Sequence, residues 1–248
     1  MNQPREPIFN IPSSVVATVA LLGLIHAIRE LVLTPAQAQR FLLLFAFIPA
    51  RYDATMLPGG VLPGGWGAEI WTFVTYALIH ADLTHLGFNA VWLLPFGSAL
   101  ARRFGALRFF AFLAVTAAVG AAAHLVTHPG KWELMIGASA SISGTMAAAT
   151  RFAFQRGGPL VARYSERSDH VPAASLGAAL RDYRVLAFLG VWFGLNILFG
   201  LGSVPLFGGE QSLAWQAHIG GFLAGLLLFS AFDPNRTQVS HDGESTHH

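Results

Sequence analysis

Long apolar stretches separated by short polar segments make up most of this chain. A helix of about 20 apolar residues is long enough to cross a hydrocarbon core of about 30 Å. By this criterion the pattern predicts six membrane-spanning helices, over residues 13–27, 83–101, 109–126, 134–150, 185–202 and 213–232. The expected fold class is therefore an all-α polytopic membrane protein built as a bundle of six transmembrane helices.

The segments between these spans complete the predicted organisation. We expect an N-terminal tail, one membrane domain and a C-terminal tail, over residues 1–12, 13–232 and 233–248. Inside the domain, the first loop (residues 34–82) is long and rich in glycine and proline, and residues 151–184 form a polar loop. An apolar helical segment over residues 34–50 contains two prolines and is bounded by arginines, so we expect it to lie in the membrane interface rather than to span the bilayer.

Arginines collect on one side of this predicted bundle. Those in the two tails and in the second-to-third and fourth-to-fifth connections are Arg5, Arg102, Arg103, Arg108, Arg151, Arg156, Arg163, Arg167, Arg181, Arg184 and Arg236. Because cytoplasmic loops of membrane proteins carry an excess of Lys and Arg, both termini are expected in the cytoplasm. The absence of a signal-peptide pattern and of a large extramembrane domain favours a bacterial inner-membrane protein.

Composition agrees with a membrane protein and excludes several other classes. Only 11% of residues are charged and 54% are hydrophobic, whereas soluble domains carry about 25% charged residues. The chain has no cysteine, so it has neither a disulfide framework nor a thiolate metal site. The basic charge follows the topology, and no basic-aromatic pattern indicates nucleic-acid binding.

A serine and a histidine stand at matched positions in this topology. Ser139 opens the fourth span and His218 lies in the first turns of the sixth, and both spans begin on the outer side. Small residues on both spans, including Gly221 and Gly225, allow close approach of the two backbones. We therefore expect Ser139 to meet His218, although a helix cap or a packing role for Ser139 is the simpler alternative. A histidine buried in a membrane span is functional by default.

Two further polar residues begin the second span. His85 and Asn89 are four residues apart and so share a helix face, where they could donate hydrogen bonds to a reacting group or simply join helices. No Asp or Glu occurs in residues 134–150 or 213–232, so a Ser–His dyad is expected rather than a triad. Tyr, Trp or water could orient the imidazole.

The chain resembles the rhomboid family of intramembrane serine proteases over about residues 66–232. The resemblance rests on four segments in chain order, residues 76–80, 85–89, 137–140 and 217–221, together with Gly225. The resemblance implies Ser139 as nucleophile and His218 as general base. It also implies an oxyanion hole formed by His85, Asn89 and the Ser139 backbone N–H. The residues expected to pack the helices at the site are Gly137, Ala140, Gly221 and Gly225.

The same resemblance implies cleavage of transmembrane protein substrates near their outer ends, in a water-filled cavity, with no cofactor and no metal. The expected partners are these substrates and the lipid bilayer, not nucleic acid, and no oligomeric state is predicted. Two positions depart from the family pattern. Ala140 stands where the family usually has glycine, so its methyl group is expected to separate the fourth and sixth spans slightly. Ser143 stands where an aromatic residue is common.

Two other functions remain open from the sequence. One is a catalytically impaired relative that binds membrane clients, although this chain keeps both Ser139 and His218. The other is a transporter or metal carrier, for which the candidate ligands are His80, His85, His124, His128 and His218.

Overall fold

The computed structural model of this protein describes residues 11–56, 62–160, 168–200 and 214–235. Within those ranges the chain forms nine α-helices and no β-strand. The helices are α1 (Ser13–Leu31), α2 (Pro35–Phe45), α3 (Gly65–Thr75), α4 (Leu83–Phe104), α5 (Ala106–Thr127), α6 (Ser139–Ala149), α7 (Leu176–Ala179), α8 (Tyr183–Gly200) and α9 (Trp215–Phe232). The prediction of an all-α membrane bundle is confirmed.

The six predicted spans correspond to α1, α4, α5, α6, α8 and α9. By length and composition, α1, α5 and α9 are sufficient to cross a membrane, and the apolar part of α8 is shorter. Most of the two predicted tails, and the connection at residues 201–213, lie outside the described residues. The assignment of domain boundaries therefore stays a prediction.

The fourth span differs from its predicted bounds of residues 134–150. Helix α6 begins only at Ser139 and has 11 residues, which gives a length of about 16 Å. The preceding residues are not helical because their backbone pairs with the first loop. Phe47 N donates to Met135 O (3.1 Å), Met135 N donates to Phe47 O (2.9 Å), and Gly137 N donates to Tyr76 O (3.0 Å). Every residue of α6 after Ser139 is buried, so α6 is a central helix of the bundle.

The first loop is more helical than predicted. The expected interfacial helix over residues 34–50 ends at Phe45 as α2, and α3 is a second helix that the sequence pattern did not indicate. The two helices are joined by Trp71, whose indole N–H donates to Leu44 O (2.8 Å). Arg51 is buried and donates to Pro63 O (3.0 Å) and to Leu43 O. The described parts of the loop, residues 34–56 and 62–82, thus form helices that are tied to one another by hydrogen bonds.

Glycines allow α9 to lie directly against α6. A β-carbon added at Gly221 would overlap the carbonyl oxygen of Ala140, and one added at Gly225 would overlap that of Gly144. On the opposite side, a β-carbon at Gly220 would come within 2.6 Å of the Ala123 side chain on α5. The backbones of α6 and α9 therefore touch, as the small-residue pattern predicted.

A buried ion pair joins the C-terminal ends of α4 and α9. Arg103 Nε and Nη2 donate to the two carboxylate oxygens of Asp233 at 3.0 and 2.8 Å. Arg103 Nη1 also donates to Val171 O (2.8 Å), and the guanidinium lies 4.6 Å from the centre of the Phe152 ring. Because the end of α4 meets the end of α9, the starts of both helices lie at the opposite end of the bundle.

The contact at Gly225 can be tested by adding one methyl group. Gly225→Ala should force α6 and α9 apart and lower the free energy of unfolding by about 1–3 kcal/mol, the usual cost of overpacking. The measurement is thermal unfolding in detergent. Gly190→Ala in α8 is the control, because an added β-carbon there has no other atom within 4 Å. Equal destabilisation by both substitutions would contradict the close helix contact.

Candidate active site

Ser139 is the first residue of α6, and the chain that leads to it is held from two sides. Gly137 has φ 119°, a conformation that favours glycine. Its N–H donates to Tyr76 O (3.0 Å), and the next N–H, of Ala138, donates to His80 Nε2 (3.4 Å). The turn at Gly137 and these two hydrogen bonds fix the point at which α6 begins. Consequently they fix the position of Ser139.

His218 lies in the first turn of α9 and contacts Ser139 directly. The imidazole Nε2 is 2.7 Å from Ser139 Oγ, across 79 residues of sequence. The other ring nitrogen, Nδ1, is 2.6 Å from Asn196 Oδ1. His218 is only 8% exposed, so the ring is held inside the bundle with both nitrogens engaged. The structure thus brings the predicted serine and histidine within hydrogen-bond distance.

His85 lies beside the turn that precedes Ser139. Its Nδ1 accepts a hydrogen bond from Ala81 N (3.4 Å), so the ring proton of a neutral His85 is on Nε2. That Nε2 is 2.7 Å from the point a Gly137 β-carbon would occupy, and Ser139 Oγ is 3.7 Å from the same point. His85 Nε2 and Ser139 Oγ therefore both border the space beside Gly137. Any side chain at position 137 would displace the His85 ring.

Asn89 is one helical turn further along α4 and is 5% exposed. Its side-chain nitrogen donates to His85 O at 2.8 Å, a bond within the same helix. This bond uses one of the two amide hydrogens of Asn89, and the other can be donated to a second acceptor. The local bond also agrees with the alternative, purely structural reading of Asn89.

The start of α6 favours negative charge beside Ser139. The residue before the helix, Ala138, provides no side-chain cap, so the first backbone N–H groups of α6 lack that partner. These N–H groups and the helix dipole place partial positive charge at the helix start. A hydroxyl beside an imidazole, with hydrogen-bond donors around it, is the arrangement that acyl-transfer chemistry requires.

The predicted packing residues do not share one role. Gly221 and Gly225 form the α6–α9 contact, whereas Gly137 is in the turn before α6. The expectation that the Ala140 methyl group separates the two helices is wrong. The Ala140 β-carbon points towards Gly120 of α5, where it lies 2.7 Å from the position of an added β-carbon, and α9 faces the Ala140 backbone instead. Glycine at position 120 makes room for the methyl group.

Asn196 is the site residue that sequence reasoning missed. It lies in α8, is 8% exposed, and its side chain bonds both His218 and the backbone carbonyl of Trp192. The sequence did hold a signal, because Asn196 is the single amide in an otherwise apolar stretch after Arg184, and such residues mark helix contacts or sites. Among the residues with described positions, no group of three His, Asp or Glu could hold a metal ion.

Comparison with known proteins finds a family model and several relatives. A sequence model described as the Rhomboid domain matches residues 67–232. The chain is 27% identical to Rhomboid-like protease 3 of Toxoplasma gondii, over 74% of this chain and 59% of that protein. It is 35% identical to YdcA of Bacillus subtilis, provisionally assigned as a rhomboid protease, over 43% and 54% of the two chains. It is 25% identical to the rhomboid protease GlpG of Haemophilus influenzae, over 64% and 68%. The chain thus spans somewhat more than half the length of the first two relatives.

The contact between Ser139 and His218 predicts an activated hydroxyl. A fluorophosphonate probe should modify Ser139 in the folded protein, and mass spectrometry should locate the adduct on that residue. His218→Ala should lose labelling, because the serine loses its proton acceptor. Ser141→Ala is the control. The Ser141 hydroxyl donates to Leu113 O and should not react with the probe, so this variant should be labelled like the parent protein. Labelling of Ser141 or Ser143 in place of Ser139 would contradict the assignment.

Proposed function

This chain belongs to the rhomboid family, and from that premise we propose that it is an intramembrane serine endopeptidase. In this proposal it hydrolyses peptide bonds of transmembrane protein substrates near the outer face of the membrane, with Ser139 and His218 as a catalytic dyad. The observation that carries the proposal is the distance of 2.7 Å between His218 Nε2 and Ser139 Oγ. That distance allows direct proton transfer from hydroxyl to imidazole.

The first half of the reaction forms an acyl-enzyme. Ser139 Oγ attacks the scissile carbonyl carbon while His218 Nε2 takes the hydroxyl proton. The carbonyl oxygen becomes an oxyanion, which we assign to the Ser139 backbone N–H, His85 Nε2–H and Asn89. The tetrahedral intermediate then collapses, the C–N bond breaks, and His218 returns the proton to the leaving amine.

The second half of the reaction releases the acyl group. A water molecule gives a proton to His218 Nε2 and attacks the ester carbonyl. Collapse of this second intermediate breaks the bond to Ser139 Oγ, and the proton on His218 restores the hydroxyl. The products are a new carboxyl terminus and a new amino terminus. Every bond change uses groups of this chain, the substrate and one water, so the proposal needs no cofactor.

The site must hold water although it lies within a membrane bundle. Because α6 is about half as long as the hydrocarbon core is thick, Ser139 would lie below the outer surface of the bilayer. The side chains of His85, Asn89, Ser139 and His218 would line a polar cavity there, where such groups are tolerated. A transmembrane substrate would enter from the lipid beside α8, close to Trp192 and Phe193.

The family match and the apolar helices make this chain an integral membrane protein. We propose the orientation that follows from the arginines, with both termini in the cytoplasm and the starts of α4, α6 and α9 on the outer side. In a bacterium the membrane would be the inner membrane. Under this orientation the dyad faces the periplasm, and the Arg103–Asp233 pair lies near the cytoplasmic face.

Loss of either dyad residue should abolish proteolysis. Ser139→Ala and His218→Ala should each reduce the cleavage rate of a model transmembrane substrate by about 10⁴–10⁶, as for other serine hydrolases. The measurement is product formation in reconstituted vesicles, with substrate binding measured in parallel. Ser141→Ala serves as the active control. Ordinary turnover by Ser139→Ala would disprove the proposed function.

Asn89→Ala distinguishes an oxyanion donor from a structural residue. A lost donor weakens the transition state, so kcat should fall by about 10²–10³ while KM changes little. The folded protein should still react slowly with the fluorophosphonate probe, because Ser139 and His218 remain. If the hydrogen bond to His85 O is the whole role of Asn89, the melting temperature will fall while kcat of the folded fraction stays normal. Both quantities should be measured on one preparation.

A further inference from the structure

We infer that Asn196 is the positioning residue for the catalytic imidazole, so that the dyad works as a Ser139–His218–Asn196 array. The inference rests on the proposed function and adds a residue from a third helix to it. Asn196 does not touch the reacting atoms. It acts through His218, whose Nδ1 is 2.6 Å from Asn196 Oδ1.

The orientation of the Asn196 amide follows from its second hydrogen bond. Its nitrogen lies 2.8 Å from Trp192 O, and a backbone carbonyl can only accept. The Asn196 nitrogen is therefore the donor in that bond, and the amide oxygen is the atom that faces His218. This pairing excludes the flipped amide, in which an oxygen would face the Trp192 carbonyl oxygen.

The fixed amide selects the tautomer of His218. Asn196 Oδ1 is an acceptor only, so its bond to the ring requires the hydrogen of neutral His218 to be on Nδ1. The Nε2 lone pair is then free to accept the proton of Ser139 Oγ, 2.7 Å away. The opposite tautomer would present an N–H to the serine and leave it without a base. Asn196 thus favours the one form of the imidazole that can activate Ser139.

The neighbouring hydroxyl groups do not hold His218 Nδ1. Helix α6 presents Ser139 to the ring, and the next hydroxyl one turn on, Ser143, donates to Ser139 O at 2.7 Å. Asn196 itself is buried beside an aromatic contact between α8 and α9, in which Trp192 stacks on Phe222 at 4.3 Å. The same turn of α8 that packs on α9 therefore also holds the imidazole. A displacement of α8 from α9 would release His218.

Two substitutions of similar size separate positioning from packing. Asn196→Leu removes the acceptor, and kcat for a transmembrane substrate should fall about 10–100-fold with KM within about twofold, because an unpositioned imidazole is a poor base. Asn196→Asp keeps an oxygen towards Nδ1, and its protonated form can still donate to Trp192 O, so kcat should stay within about fivefold of the parent. Thr145→Val is the control and should keep the parental kcat, since Thr145 is also buried but bonds only its own helix, at Ile142 O.

The tautomer can be read without any activity measurement. In ¹⁵N-histidine-labelled protein, the His218 ring signals, assigned by their loss in His218→Ala, should show hydrogen on Nδ1 and none on Nε2. Asn196→Leu should redistribute the hydrogen between the nitrogens, and Asn196→Asp should not. A parental His218 protonated on Nε2, or an Asn196→Leu protein with parental kcat, would overturn the inference. Activity in Ser139→Ala would instead remove the proposed function itself.

Discussion

The backbone contact between α6 and α9 is the constraint on which the rest of the site depends. Lipid supplies no hydrophobic force between helices, so close packing must hold them together. Gly221 and Gly225 lie against the carbonyl groups of Ala140 and Gly144 with no room for a β-carbon. His218 precedes Gly221 by three residues and Ser139 directly precedes Ala140. The contact therefore sets the side chains of Ser139 and His218 at one level.

A second constraint fixes where α6 begins. The residues before Ser139 are not helical, because Met135 pairs with Phe47, Gly137 bonds Tyr76 and Ala138 bonds His80. Were these residues helical, the free N–H groups of the first turn would lie away from Ser139. The N–H groups at Ser139 would instead be hydrogen-bonded within the helix. The contacts with the first loop thus make α6 begin at Ser139. These contacts are a condition for the hydrogen-bond donors around Ser139.

Some of this architecture could be predicted from the sequence, since apolar length and small-residue spacing are local properties. They indicated α4, α5 and α9 and the meeting of Ser139 with His218. They did not indicate α3, which is short and is held by tertiary contacts such as that of Trp71 with Leu44 O. Nor did they indicate Asn196, because its partner is 22 residues away on another helix. Periodicity shows which face is buried but not which polar groups pair.

The hydroxyl groups of α6 differ in the partners that the bundle gives them. Hydroxyl side chains alternate along α6, at Ser139, Ser141, Ser143 and Thr145. In the bundle, the last three donate to backbone carbonyls of Leu113, Ser139 and Ile142, which is how buried hydroxyls in membrane helices are usually satisfied. The Ser139 hydroxyl instead meets an imidazole whose far side is held by an amide. Among these four hydroxyls, only that of Ser139 thus has a proton acceptor on an imidazole.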